Sequence, residues 1–347
     1  MKRHLLFLAA LLIVNLAASA QKKFSVYAVG FYNQENLFDT CHDEGKKDYE
    51  YLPNKGWNGM KYTNKLRNMS KALADMGTDV LPNVGCAFIG LSEVENHKVL
   101  DALVDQAPLK ARNMKYVHIE GPDRRGIDCA LLYNPSLFSV KNVKLLPYVQ
   151  ELAKDSAFFT RGFLTVRGEM AGDDVAVIVC HWPSRFSGPF YRESAARQVK
   201  VIKDSLLNVN QEMKIFVMGD MNDDPVNKSM HVYLQAKPEI SQVGAGDMYN
   251  PWYNVLAKEG KGTLFYSGNW NLFDQIVITP NLLNKDAKKK DYSSLKYWKS
   301  QIFRRDYLIQ QEGQYKGAPL RTTAGGRWLN GYSDHLPVVM YLVKEKK

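Results

Sequence analysis

The chain has only four cysteines in 347 residues, and beyond its first twenty residues no apolar run approaches the roughly 20 residues that a membrane-spanning helix needs. No C-x-x-C spacing occurs, which argues against a thiolate zinc site or a dithiol redox pair. H-E-x-x-H, a Walker phosphate loop and G-x-S-x-G are also missing. The zinc protease, nucleoside triphosphatase and serine hydrolase readings therefore lack the residues on which their chemistry rests. There is no internal repeat, no low-complexity tract and no linker that divides the chain. Cys86, Cys129 and Cys180 lie inside apolar stretches and are expected as buried thiols, because free cysteine packs as a small hydrophobe.

The amino terminus is patterned for processing. Lys2 and Arg3 precede an apolar run from Leu5 to Leu16, broken only by Asn15, and Ala18-Ser19-Ala20 supplies small residues before Gln21. Residues 1–20 are expected to be a cleaved signal peptide, and 21–347 a single catalytic domain. A membrane anchor fits less well, since the run is short and no stop-transfer charges follow. The expected protein is exported, periplasmic or secreted, monomeric, and without an obligate protein partner. The formal charge of +10 falls to +8 once Lys2 and Arg3 are removed. That balance suits a polyanionic partner such as nucleic acid or an anionic lipid surface, although it would also serve simple solubility.

Short β-rich runs recur at 24–32, 87–91, 116–119, 129–133, 162–167, 175–180, 215–218, 275–279 and 338–343, each bounded by turn-forming residues. Helical spacing appears at 61–76, 99–106 and 193–209. This mixture predicts an α/β protein whose sheets are covered on their faces. Three stretches, 40–60, 223–262 and 284–326, read as loop decoration, the last one rich in lysine and aromatic residues.

Several strand-like runs end in polar groups. Phe31-Tyr32 leads into Asn33, Leu91-Ser92 into Glu93, Val179-Cys180 into His181, and Met218-Gly219 into Asp220 with Asn222 two residues on. Tyr332-Ser333 leads into Asp334 and His335. Convergence of strand ends on one sheet edge would gather carboxylate and amide oxygens suited to a hard cation, beside imidazoles that titrate near neutrality. Each residue alone is more often a solvated strand end. The order and context of the whole set carry the inference.

Read together, these motifs resemble the endonuclease/exonuclease/phosphatase superfamily, in its deoxyribonuclease I-like group, over about Phe24 to Val343. Tyr32-Asn33, Leu91-Ser92-Glu93, His181-Trp182-Pro183, Gly219-Asp220-Met221-Asn222, Phe273-Asp274 and Ser333-Asp334-His335-Leu336-Pro337-Val338 follow the family order. The resemblance implies a four-layer α/β/β/α sandwich of two packed mixed β-sheets, with the site at one end. It implies a metal-dependent phosphodiesterase using Mg²⁺, with Mn²⁺ as a substitute, held by Asn33, Glu93 and Asp334. His181, Asp220, Asn222, Asp274 and His335 are the implied catalytic group. Asp220 would activate water, Asp274 would orient His335, and His181 would protonate the leaving oxygen. Arg161 and Arg185 are candidate phosphate clamps, and Arg124 and Arg125 stand in a similar position. Surface salt bridges would explain these arginines equally well.

A nuclease acting on DNA or RNA is the favoured reading. The runners-up are a phospholipid-directed phosphodiesterase of sphingomyelinase type, marked by an exposed aromatic hairpin, and a phosphatase. Inositol polyphosphate 5-phosphatases carry motif versions that are absent here. A silent binding module would be expected to have lost one of Glu93, Asp220, Asn222 or His335. Trp57, Trp182 and the 284–326 stretch have no place on the general pattern.

Overall fold

The computed structural model describes residues 23–151, 158–286 and 288–346. The signal-peptide expectation falls on 1–20, outside the described residues.

Among the described residues, thirteen strands build two large mixed sheets. In chain order they are β1 (Phe24–Leu37), β2 (Phe88–Val94), β3 (Lys115–His118), β4 (Asp128–Tyr133), β5 (Phe138–Leu146), β6 (Phe163–Met170), β7 (Asp173–His181), β8 (Lys214–Asp220), β9 (Ala236–Lys237), β10 (Met248–Tyr249), β11 (Asp274–Ile278), β12 (Lys296–Ile302) and β13 (Val338–Glu345). The six-stranded sheet runs β12-β13-β1-β2-β4-β3. The seven-stranded sheet runs β5-β6-β7-β8-β11-β10-β9. Parallel pairing of β1 with β2 and of β7 with β8 places their carboxyl ends on a common edge.

Alternation along the strands assigns the layers. Val29 and Phe31 of β1 meet Val175, Val177 and Val179 of β7 and Phe216 and Met218 of β8 in the core between the sheets. Residues of the opposite parity, Ala28, Tyr32, Ile89 and Leu91, face helix α1 (Gly59–Asp75), helix α2 (His97–Val104) and the short helix α3 (Ala107–Ala111). Ala176, Ile178, Ile215 and Val217 instead pack against helix α4 (Pro189–Val209). The result is the expected α/β/β/α sandwich. Asn58 caps α1 by accepting a hydrogen bond from the Lys61 amide, and Pro189 opens α4 at a position where no amide donor is needed. Cys86, Cys129 and Cys180 are buried free thiols, and Cys41 is exposed.

The stretch 284–326 is not wholly a loop, which corrects the sequence reading. Residues Lys296–Ile302 form edge strand β12 against β13. Its lysines and aromatics are largely occupied there: Lys296 donates to the Asn281 carbonyl, Tyr297 packs on Tyr249, and Phe303 is buried. Arg305 pairs with Asp75 and Asp79. Lys288, Lys289 and Lys290 stay exposed, and Trp298 is half-exposed. Strand β5 is a second departure from the sequence expectation. Phe138-Ser-Val-Lys-Asn-Val-Lys-Leu-Leu146 is an edge strand with lysines on its wet face and a register slip between Val140 and Asn142.

The glycine before Asp220 is fixed by close approach of backbone. A Cβ at Gly219 would lie 2.2 Å from the Cys180 carbonyl oxygen on the neighbouring strand. Gly219→Ala is expected to cost about 3 kcal/mol, at the upper end for overpacking because a main-chain atom must yield. Thermal unfolding of the purified variant checks this; an unchanged midpoint would contradict it.

Candidate active site

The inward-facing rows of both sheets end in polar residues at the same edge. The row Val29, Phe31 continues to Asn33; Val175, Val177, Val179 continues to His181; Phe216, Met218 continues to Asp220. On β11 the row Ile278, Ile276 ends at Asp274. His181 and Asp274 are each in register with Asp220 on its two flanking strands. Apolar packing between the sheets therefore carries the polar ends to one place.

Glu93 needs a local exception. By alternation it would follow Ile89 and Leu91 toward the helices. The pairing of β2 slips between Ser92 and Val94, and Glu93 adopts φ +60°, which turns it into the site. Glu35, Asn36 and Asn222 also take positive φ. A non-glycine residue pays of order 1–3 kcal/mol there, and hydrogen bonds hold this cluster in place. The Asn36 amide donates to Glu93 Oε2 at 3.0 Å, the Glu35 amide to Asn33 Oδ1 at 2.8 Å, and the Asn222 amide to Asp220 Oδ1 at 2.9 Å.

Asp220 is the hub. Asn33 Nδ2 donates to its Oδ2 at 3.0 Å, His181 Nε2 lies 3.7 Å from the same oxygen, and His335 Nε2 lies 3.9 Å from it. His181 Nε2 is also 3.7 Å from Glu93 Oε1. On the far side of His335, Nδ1 meets Asp274 Oδ2 at 2.7 Å. Burial pushes the Asp220 carboxyl up to about 7, with Asp274 and Glu93 adding repulsion while His335 opposes it. For His335, burial disfavours the charged form, but Asp274, Asp220 and Asp334 outweigh it and hold the imidazole well above its ordinary value. His181 is shifted the other way, by burial first and then by Arg161, Arg125 and His335.

The remaining expected residues are placed as follows. Asn33 presents its amide nitrogen to Asp220, while its oxygen is taken by the Glu35 amide. Through its amide nitrogen it orients Asp220 in this arrangement. Asn222 Nδ2 donates to the Trp182 carbonyl at 3.0 Å, bracing the strand end that carries His181. Asp334 lies 4.0 Å from His335 Nε2 and is bridged by Arg321 to Glu35, at 3.0 Å and 3.2 Å. Arg161 is buried, donating to Asp123 and to the Trp182 carbonyl. Arg185 spreads its guanidinium over the Asn222 carbonyl, Asn271, Asp224 and Asn227. Both arginines brace the strand ends. The Arg125 side chain is half-exposed beside Asp123 and lines the pocket. Arg124 stacks over Phe159 at 5.3 Å.

Sequence reading missed Arg321 and Glu35. Glu35 directly follows the Asn33-Gln34 strand end without an assigned role, and Arg321 falls in a stretch read as decoration. Buried Lys65 ties this region down by donating to the Thr322 hydroxyl and the Tyr332 carbonyl.

Glu93, His181, Asp220, Asn222, Asp334 and His335 open onto one cavity of about 370 Å³, with Arg125, Phe158, Phe159 and Leu264 on its walls. A larger cavity of about 620 Å³ lies behind the 264–271 hairpin, but it contains no imidazole and only scattered charge. Size does not mark the reactive site here.

The donor set fits a divalent cation. Ligand atoms of Glu93, His181 and Asp220 lie within 4.8 Å of one another, so two carboxylates converge, and burial disfavours the charge of Asp220. A cation between them would relieve that cost.

Over residues 28–344 the chain matches the model of the Endonuclease/Exonuclease/phosphatase family. No curated protein sequence matches it. Among solved structures it is similar to D. rerio TDP2 complexed with a single strand DNA product, at 11% identity and a TM-score of 0.53, covering 92% of this chain and 99% of that one. It is similar to a mannosyl-6-phosphatase of Bacteroides thetaiotaomicron, at 14% identity and a TM-score of 0.54, covering 91% and 99%. An endonuclease/exonuclease/phosphatase family protein from the same organism gives 14%, 0.54, 93% and 97%. At these identities the likeness speaks for the fold.

Two outcomes test the cation site. In thermal unfolding, Mg²⁺ or Mn²⁺ at about a hundredfold over its dissociation constant should add about 2.7 kcal/mol of stability, and Glu93→Gln should remove most of that gain. A proton on Asp220 competes with the cation, so affinity should fall about tenfold per unit as pH drops below about 7. Affinity independent of pH between 6 and 8 would contradict this.

Proposed function

The chain belongs to the endonuclease/exonuclease/phosphatase family, hydrolases of phosphate esters, and from that premise we propose that it is an exported, magnesium-dependent nuclease that cleaves phosphodiester bonds by in-line attack of water. The observation that carries the reading is the meeting of Glu93, His181, Asp220 and the Asp274-held His335 in one pocket.

A cation held chiefly by Glu93, with Asp220 beside it, would supply positive charge to a non-bridging phosphate oxygen. The chain's own groups do the rest. Asp220, with a carboxyl poised near neutrality, takes the proton of the attacking water. His335, kept charged by its carboxylate neighbours, places a positive donor on the phosphoryl group and is the better source of a proton for the leaving oxygen. The family resemblance implies that acid role for His181. Its surroundings hold it neutral, and it serves instead as an uncharged ring beside Glu93 and Asp220, 3.7 Å from each.

A nucleic acid substrate is supported by the positive balance of the chain and by aromatic side chains around the pocket. Phe159 is half-exposed on its wall and Phe186 is fully exposed on the loop after His181. Such rings stack on bases without regard to sequence. The TDP2 structure with bound single strand DNA product is a further support from the same fold. One observation favours the lipid-directed reading: the hairpin Leu264–Tyr266 and Asn269–Asn271 beside His335 exposes Tyr266. Its other aromatics, Phe265 and Trp270, are packed against each other, which leaves a single phenol for a membrane surface. Export is supported by the Lys2-Arg3, apolar and Ala-Ser-Ala pattern alone. A secreted product starting at Gln21 by mass spectrometry is the expected result.

The purified protein is expected to nick plasmid DNA with Mg²⁺ or Mn²⁺, to stop in EDTA, and to slow steeply as salt rises. Asp220→Ala and His335→Ala should each lower turnover about 10²- to 10⁴-fold while the protein stays folded. Turnover of sphingomyelin vesicles or a phosphomonoester, with nucleic acid untouched, would overturn the nuclease reading.

A further inference from the structure

A second pocket, of about 220 Å³, lies on the other side of the Glu35-Asn36 turn from the catalytic cavity. Two segments that the family pattern leaves unplaced form it. One is the pair of short helical turns Tyr49–Tyr51 and Pro53–Lys55 with Trp57 behind them. The other is the small hairpin of Thr323–Ala324 and Arg327–Trp328. Aromatic rings make its back: Tyr51 meets Trp57 at 5.8 Å, and Trp57 meets Trp328 edge-on at 5.7 Å. Trp57 is fixed by donating its indole N–H to the Phe38 and Asp39 carbonyls. Lys61 Nζ stands 5.8 Å from the Trp328 ring centre, and Lys55 is on the same wall. Among the described residues neither lysine has a carboxylate within salt-bridge distance. Glu50 lines the pocket as well and pairs with neither.

The walls of this pocket are also the supports of the catalytic centre. Asn36 holds Glu93 through its amide, and Glu35 holds Arg321, which holds Asp334. A chain passing from one pocket to the other would cross only that turn. An indole pair, with Trp57 fixed, beside two ammonium groups that lack carboxylate partners matches a planar base joined to a phosphate. A base stacked inside a duplex has no way into so small a recess; an unpaired one has.

We propose that this pocket is a second subsite that takes one unpaired nucleotide of a single strand, its base on Trp328 and its phosphate on Lys55 and Lys61. The assignment rests on the nuclease reading of the neighbouring centre and makes that substrate single-stranded.

The test is fluorescence anisotropy of a labelled oligothymidylate of about eight nucleotides with the full chain in EDTA. Trp328→Ala, and separately Lys55→Ala with Lys61→Ala, should each weaken binding about tenfold. The lysine pair should also flatten the log–log salt slope by about 0.7 for each phosphate that is no longer neutralised. Turnover of bis(p-nitrophenyl) phosphate with Mg²⁺, a diester too small to reach the pocket, should stay within about twofold of the unaltered protein. Equal affinity in both variants overturns the subsite, as does equally tight binding of a blunt duplex. Parallel loss of small-diester turnover in both also overturns it, because the pocket would then only brace the centre. Failure of the nuclease reading looks different: the oligonucleotide is bound, the variants bind it less, and Mg²⁺ does not cause its cleavage.

Discussion

Asp220 stands buried beside two imidazoles and a second carboxylate, at a position where an unsupported charge would be costly. Its oxygens are held by the Asn33 amide nitrogen and the Asn222 main-chain amide, and each of these donors is held in turn. The Ser333 hydroxyl fixes the Asn33 carbonyl, and the Trp182 carbonyl fixes the Asn222 side chain. Through these bonds the ends of β1, β7 and β8 and the approach to β13 are tied to a single carboxylate. These strand ends must arrive together for Asp220 to be satisfied.

The segments between the motif residues are occupied with the same task. Thr322, on the return from edge strand β12, donates its amide to Glu35, and Arg321 beside it joins Glu35 to Asp334. Lys65, drawn from inside α1, reaches the Thr322 hydroxyl and the Tyr332 carbonyl. Burial lowers this lysine to about 8, while Glu35, Asp334 and Glu93 favour its charge. A cation placed there offsets part of the acidic excess on that flank. The 284–326 segment thus has two separable parts: an edge strand that closes the first sheet, and a returning loop that supports the acidic residues.

How much of this was legible follows from periodicity. The inward rows Val29-Phe31-Asn33, Val175-Val177-Val179-His181 and Phe216-Met218-Asp220 can be read directly, because a period of two fixes which face a residue shares with its neighbours. Glu93 was legible as a polar strand end, but that rule points it to the wrong face, since a slip in the ladder turns it into the site. Strand β5 is hidden because its lysines dilute the apolar signal, and β12 because it lies among basic and aromatic residues that suggest a loop. Arg321 carries no local mark at all. Its role depends on a fold-level meeting with Glu35, 286 residues away. Trp57 and Trp328 likewise become neighbours only once β1 pairs with β13, Phe24 opposite Glu345.

The two histidines sit at nearly equal distances from the same Asp220 oxygen, 3.7 Å and 3.9 Å, yet their surroundings push them in opposite directions. Carboxylates Asp274 and Asp334 flank His335; guanidinium groups Arg161 and Arg125 flank His181. The pocket is therefore electrostatically uneven, with an imidazolium favoured at His335 and a neutral ring at His181. Pairs of titratable groups driven apart by their environments mark the acid and base assignments of a site. On the proposed mechanism, a phosphate ester entering this pocket meets its strongest fixed positive donor at His335, 3.9 Å from the Asp220 carboxylate oxygen assigned as the base. Under that proposal the choice of His335 over His181 as leaving-group acid rests on the charge around each ring, because the two stand at nearly equal distances from Asp220.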